Sequence, residues 1–155
     1  MSSLGSAPAA LSIGIDIGGT KTHLRALPDG GGEGRDLIVT SASWRQRDWD
    51  EDAEGLLALV GRLTGGAPVG AIGIGAHGCD DAEECKALET AVAARTSARV
   101  AVVNDAELMP LALGFPGQIG VVAGTGSIAV CRPAPDRMLV AGGWGWIVGD
   151  EGSAA

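Results

Sequence analysis

The sequence predicts an α/β fold with a mixed sheet, followed by the first strands of a second unit built the same way. Three observations point there. Between Leu11 and Ser41 three apolar, strand-like runs are joined by glycine-rich corners and not by helices. From Arg47 to Ala106 the pattern switches to helix, strand, helix, strand, the alternation that builds parallel pairs. From Gly117 onward hairpins return, and Gly124-Thr125-Gly126 stands where Asp16 and the Gly18-Gly19 corner stood in the first unit.

Each element has a local reason. Leu11–Ile17 and Thr22–Leu27 are apolar runs flanking Gly18-Gly19, and Arg35–Ser41 follows the turn "PDGGGEG" as a third strand. "RDWDEDAEGLLALVGRL" reads as a helix: Asp48, Asp50, Glu51 and Asp52 crowd its first turn, where the dipole favours them, and Leu56, Leu59, Val60 and Leu63 form its apolar stripe. That acidic run is expected to be a solvated helix start. "VGAIGIGAHG" is a buried strand, and "DDAEECKALETAVAARTS" is a helix with an Asp cap and Cys85, Leu88 and Val92 on one face. "RVAVVNDA" is a short strand ending in Asn104-Asp105, and Pro110 falls in the first turns of a short helix, where proline is tolerated.

Bulk composition narrows the function. A chain of 155 residues that is 46% hydrophobic is long enough for a real core. The net charge of −8 argues against a nucleic-acid or anionic-membrane partner, so an anionic ligand has to be met by local donors. No apolar run approaches membrane-spanning length. "MSSLGSAPAA" lacks the basic and apolar regions of a secretory signal and reads as a loose leader over residues 1–10. Three cysteines give no disulfide framework, which favours the cytoplasm. His77, Cys79 and Cys85 lie close in sequence but match no zinc spacing.

Three stretches compete as phosphate loops. "GIDIGGTKT" has the wrong spacing for a P-loop and runs into a strand, where a P-loop requires a helix. Gly73 to Gly78 is a formal G-x-G-x-x-G between strand and helix, a weak signal in a chain with 26 glycines. The third reading uses two separated corners, Gly18-Gly19-Thr20 and Gly124-Thr125-Gly126-Ser127, whose backbone N–H groups and hydroxyls can face one anion from two sides. Asp16 at a strand end is then placed to hold Mg²⁺ through water. Each Gly-Thr corner alone is only a turn; together with Asp16 and Asn104-Asp105 they form a constellation.

"GIDIGGTKT", "VVNDA", "GVVAGTGS" and "GGWGWIVGDEGSA" stand in the order and approximate spacing of the N-acetylglucosamine kinase-like, BadF/BadG/BcrA/BcrD-type ATPase family. The chain resembles this branch of the actin/hexokinase superfamily from Leu11 to Ala154. The resemblance implies two ribonuclease-H-like domains closing on ATP, the first over residues 11–115 and the second begun at 116–155. It implies that Asp16 with Gly18, Gly19, Thr20 and Lys21 grips phosphate and Mg²⁺, and that Gly124, Thr125 and Gly126 grip phosphate from the other side. Asp105 becomes the general base. Asn104, Ser127, Gly143, Trp144, Gly145 and Asp150 become sugar-site residues, with Asn104 equally readable as a helix cap and Trp146 as a core residue.

The implied reaction is ATP-dependent phosphorylation of an amino sugar, N-acetylglucosamine to its 6-phosphate, by a cytoplasmic protein that is a homodimer at full length. One departure concerns the acceptor: "TSASWRQRDWD" lacks the asparagine the family uses for the sugar, leaving Ser43 or Gln46 as substitutes. The same family includes ATPase activators of dehydratases and reductases with cluster-binding cysteines; Cys131 stands alone, which favours the kinase. A non-catalytic sugar-binding remnant is the third reading. In the family about half the protein follows "GDEGS", so the chain by itself is expected to be inactive, with Val121, Val130, Leu139 and Val140 left uncovered.

Overall fold

The computed structural model describes residues 10–124, 126–134, 136–145 and 152. Two sheets form. Strands β1 (Leu11–Ile17), β2 (Lys21–Pro28), β3 (Arg35–Thr40), β4 (Val69–Ala76) and β5 (Arg99–Asn104) make a sheet in the order β3-β2-β1-β4-β5. The β1–β2 and β2–β3 pairs are antiparallel, whereas β1–β4 and β4–β5 are parallel, so the sheet is mixed as the sequence predicts. Strands β6 (Gly120–Ala123), β7 (Ser127–Ala134) and β8 (Arg137–Gly142) form a second, antiparallel sheet in sequence order.

One face of the larger sheet makes the core. Period-two alternation turns Ile13, Ile15 and Ile17 of β1, Thr22, Leu24 and Ala26 of β2, and Ile72 and Ile74 of β4 inward. Helix α1 (Trp49–Thr64) covers them with Ala53, Leu56, Leu59, Val60 and Leu63, and α2 (Ala82–Ala93) adds Cys85, Leu88 and Val92. Asp48 caps α1 by accepting from the N–H groups of Asp50 and Glu51, each at 3.0 Å, and Gly65 ends it in the left-handed region at φ 62°. Asp81 caps α2 in the same way.

The same alternation leaves Gly14 and Asp16 on the opposite face, away from the helices. On that face a 3₁₀ turn at Asp105–Glu107 leads into the short helix α3 (Leu108–Ala112). Leu108 packs where a Cβ on Gly75 would sit, so the glycine of β4 is what admits this segment. Strand β6 comes equally close: a Cβ at Gly120 would overlap the Ala106 carbonyl. A bidentate pair adds a second tie, Arg132 of β7 donating from Nε at 2.8 Å and from Nη2 at 2.9 Å to the two carboxylate oxygens of Glu107.

Three sequence expectations change. Ser41 ends no strand; it starts a 3₁₀ turn because its hydroxyl is held by the first glycine corner. The acidic start of α1 is not solvated throughout: Asp52 is buried and accepts from the N–H groups of Gln46 and Arg47, with the Arg45 guanidinium 3.5 Å away. Val130 is buried at 1% exposure between neighbours, while Val121, Leu139 and Val140 are exposed as expected.

The contact at Gly120 gives a direct test. Gly120→Ala is expected to lower stability by about 1–3 kcal/mol, the usual range for overpacking. The readout is a lower urea midpoint at unchanged m-value; an unchanged midpoint would mean that β6 does not need to approach Ala106 closely.

Candidate active site

The C-terminal ends of parallel strands are where open α/β sheets place their ligands. Here β1, β4 and β5 run parallel, and each delivers an ionisable side chain at or just past its end. Asp16 comes from β1, His77 and Asp80 from the turn after β4, and Asp105 from the turn after β5. All four line one cleft of about 770 Å³. The opposite wall comes from the small sheet, through Gly124, Gly126 and Ser127 at its first hairpin and Gly143 and Gly145 after β8.

The first glycine corner is built from beneath. Gly18 N–H donates to the Lys21 carbonyl at 3.0 Å, closing the hairpin between β1 and β2. The Ser41 hydroxyl donates to the Gly18 carbonyl at 2.7 Å and lies 3.0 Å from the Thr22 hydroxyl, to which the Trp44 indole N–H also donates at 3.1 Å. Because Ser41 N–H donates to the Thr20 carbonyl, both ends of Gly18-Gly19-Thr20 are fixed to the protein. The second corner is closed by a shorter-range bond, Gly124 N–H to the Gly126 carbonyl at 2.8 Å. The two corners sit in equivalent hairpins of two antiparallel meanders, the internal likeness the sequence suggested.

Asp105 is held at the edge of the cleft. Its Oδ1 accepts from Ala106 N–H at 3.0 Å, and its side chain keeps 13% exposure. Burial pushes its carboxyl above the ordinary aspartate value; His77 and the Ala106 N–H oppose that, and the carboxylates of Asp16 and Asp80 add to it. A carboxylate made more basic by its surroundings is suited to accept a proton.

Most predicted site residues meet here, and some do not. Asp16, Gly18, Gly19, Thr20, Asp105, Gly124, Gly126, Ser127, Gly143 and Gly145 all line the cleft. Asn104 does not: its side chain is wholly buried, donating to the Cys79 carbonyl and to Asp80 and accepting from Ala106 N–H. The sugar-contact role is corrected to that of a cap. Lys21 is exposed and Trp144 is 74% exposed, and neither lines the cleft. The proposed substitutes for the missing asparagine are also absent from the lining: Ser43 donates to the Thr40 carbonyl, and Gln46 offers its backbone N–H to Asp52. Thr125, Trp146 and Asp150 lie outside the described residues.

Two ionisable cleft residues, His77 and Asp80, are not among the site residues the sequence predicts. Their signal was position: both follow the C-terminal end of a strand running parallel to the one that ends in Asp16. Among the described residues no group of three His, Cys, Asp or Glu side chains is placed to hold a metal ion. Nor is any helix among them long and apolar enough to cross a membrane.

The mixed five-stranded sheet and its helices give the actin-like fold. No protein-family model matches the chain. Over 151 residues it is 33% identical to the N-acetylmuramic acid/N-acetylglucosamine kinase of Clostridium acetobutylicum, matching 91% of this chain and 48% of that protein. In structure it resembles a candidate N-acetylglucosamine kinase from Chromobacterium violaceum, with TM-score 0.65 and 24% identity over 94% of this chain and 53% of that one. A ROK family glucokinase from Streptomyces griseus, solved with glucose and AMPPNP, matches with TM-score 0.57 and 26% identity over 84% of this chain and 46% of that one. The chain spans about half the length of the relatives it matches.

The raised Asp105 carboxyl has a consequence for stability. A group that holds its proton more tightly when folded favours folding below its unfolded pKa and loses that contribution as pH rises through the folded value. Ionised Asp105 therefore destabilises the fold at neutral pH. Asp105→Asn, which keeps an acceptor for Ala106, is expected to raise the melting temperature at pH 7 relative to wild type, with the gap closing below about pH 3.9, the unperturbed aspartate value. A gap that stayed constant across that range would assign the effect to something other than this ionisation.

Proposed function

We propose that this chain supplies the phosphate-binding corners and the base of an ATP-dependent amino-sugar kinase, with N-acetylglucosamine as the first acceptor to test. The observation that carries the reading is the convergence of Asp105 and both glycine corners on one cleft. Phosphoryl transfer requires positioning and charge stabilisation more than covalent chemistry. Gly19 and Thr20 offer backbone N–H groups and the Thr20 hydroxyl to the phosphates from one wall, and Gly126 its N–H from the other, while the Gly18 and Gly124 N–H groups are engaged in closing their hairpins. Asp105 accepts the proton of the acceptor hydroxyl as that oxygen attacks.

Magnesium fits this arrangement. The cleft offers one accessible carboxylate beside the first corner, Asp16, and Mg²⁺ is commonly held by one or two carboxylates together with phosphate oxygens and water. When bound it neutralises charge on the phosphates, which three neighbouring carboxylates would otherwise repel. Gly143 and Gly145, both at positive φ, shape the wall assigned to the sugar. The cysteines support the kinase over a cluster-bearing activator: Cys79 and Cys85 are buried in the core, and the Cys131 thiol donates to the Gly117 carbonyl.

In the full-length protein Asp105→Asn is expected to reduce phosphoryl transfer about 10²–10⁴-fold, the contribution of a general base, while calorimetry shows sugar binding retained. Near-normal turnover would remove Asp105 from the mechanism. N-acetylglucosamine should exceed glucose in kcat/KM, because polar groups that bind the acetamido substituent are left unpaired without it. N-acetylmuramic acid, the other sugar in the name of the Clostridium relative, belongs in the same assay. Equal values for all three would point to a different acceptor.

A further inference from the structure

His77 is the only basic side chain among the described residues that line the cleft, and none of the roles assigned above uses it. Its place is fixed by its backbone, whose N–H donates to the Ile17 carbonyl at 2.8 Å, so the turn after β4 is tied to the end of β1. From there the imidazole reaches toward the base: Nδ1 lies 4.0 Å from Asp105 Oδ2. Exposure differs sharply across the pair. The His77 side chain is 50% exposed and that of Asp105 is 13% exposed.

The charged groups facing Asp105 come from three directions. Asp16 approaches from β1, and His77 and Asp80 from the turn after β4; the Ala106 N–H belongs to its own turn. The small sheet contributes no charged side chain to the lining among the described residues. Of the three side chains facing Asp105, His77 is thus the only nitrogen base; it opens to water, as Asp16 and Asp80 also do.

We propose that His77 is a positioning residue and the proton outlet for Asp105: it accepts from the carboxyl group the proton taken from the sugar hydroxyl and releases it to solvent. The proposal rests on the kinase reading. As the new O–P bond forms and the bond to the ADP leaving group breaks, the hydroxyl proton moves to Asp105. It then passes to Nδ1 of neutral His77, and the imidazolium gives its Nε2 proton to water. One bridging water or a small side-chain rotation closes the 4.0 Å gap. Without this outlet the proton stays on a mostly buried carboxyl that holds it more tightly than an ordinary aspartate does.

The test uses the full-length protein with His77→Ala and His77→Gln. Both are expected to lower kcat about tenfold, below the 10²–10⁴-fold worth of the base itself, with KM for the sugar unchanged. Imidazole added to the buffer should restore His77→Ala, which a merely structural role would not allow. Independently of turnover, the Asp105 carboxyl followed by carbon-13 NMR should titrate higher in His77→Gln than in wild type. Full kcat in both variants, or a loss that imidazole does not restore, would overturn the relay while leaving the kinase reading intact. An unmoved Asp105 titration would overturn the pairing itself. If wild type transfers phosphate to no amino sugar while the titration still responds to His77, the kinase reading fails and takes the relay with it.

Discussion

Where β5 ends, one buried carboxamide joins three pieces of chain. Asn104 donates to the Cys79 carbonyl at 3.0 Å and to Asp80 at 3.3 Å, and accepts from Ala106 N–H at 2.9 Å. Its own N–H donates to Glu107, completing a capping box. The turn carrying His77 and Asp80 and the turn carrying Asp105 are therefore positioned by the same side chain. An aspartate at 104 would bring a charge into a site where the Cys79 carbonyl needs a donor; a leucine would leave that carbonyl only the weak Cys85 thiol contact and Ala106 N–H only Asp105, losing hydrogen bonds worth about 0.5–1.5 kcal/mol each. The relative placement of the ionisable cleft residues follows from Asn104 more than from any contact among themselves.

From that cap the order extends to the second sheet. Glu107 serves two partners at once, the Asn104 N–H and the Arg132 guanidinium. Its burial at 6% exposure makes the pair hard to separate, because breaking a buried pair strands a charge. Beside it, Gly120 lets β6 lie against Ala106. The wall bearing Gly124 and Gly126 is thus attached to the same short turn that presents Asp105. This explains how two glycine corners more than a hundred residues apart in sequence face one cleft: the second hairpin is tied to the turn after β5 directly, and the first through the Ile17–His77 bond and the turn after β4 that Asn104 holds.

The sequence made the elements and the two corners legible because their causes are local. Alternation identified β1 and β2, the acidic caps marked α1 and α2, and Gly-Thr corners between apolar runs marked both hairpins. What escaped was tertiary. Asn104 reads equally as cap or sugar ligand until its burial is known, since both roles need a carboxamide after a strand. His77 fails zinc spacing in the sequence, and its place beside the parallel ends of β1 and β5 is visible only in the fold. Asp52 looked like any other first-turn acid because the stretch from Arg45 to Arg47 that it holds is irregular and leaves no periodic trace. The stretch after β3 offers no asparagine, and Trp44 within it is buried and supports the first corner through Thr22.

The charge of the cleft limits how an anionic ligand can enter. Asp16, Asp80 and Asp105 converge on it, and the chain carries a net charge of −8, so long-range attraction does not recruit a polyphosphate. Attraction has to be short-ranged: backbone N–H groups at the two corners, and a cation arriving with the phosphates. This accounts for the division of the walls. The small sheet presents an uncharged, glycine-rich face that can approach phosphate oxygens without repulsion, while the carboxylates stay on the large sheet. On the kinase reading proposed above, one of them meets a cation there and another the acceptor hydroxyl. The neutral wall and the acidic wall are complementary, and the buried turn after β5 is the hinge point of chemistry at which they meet.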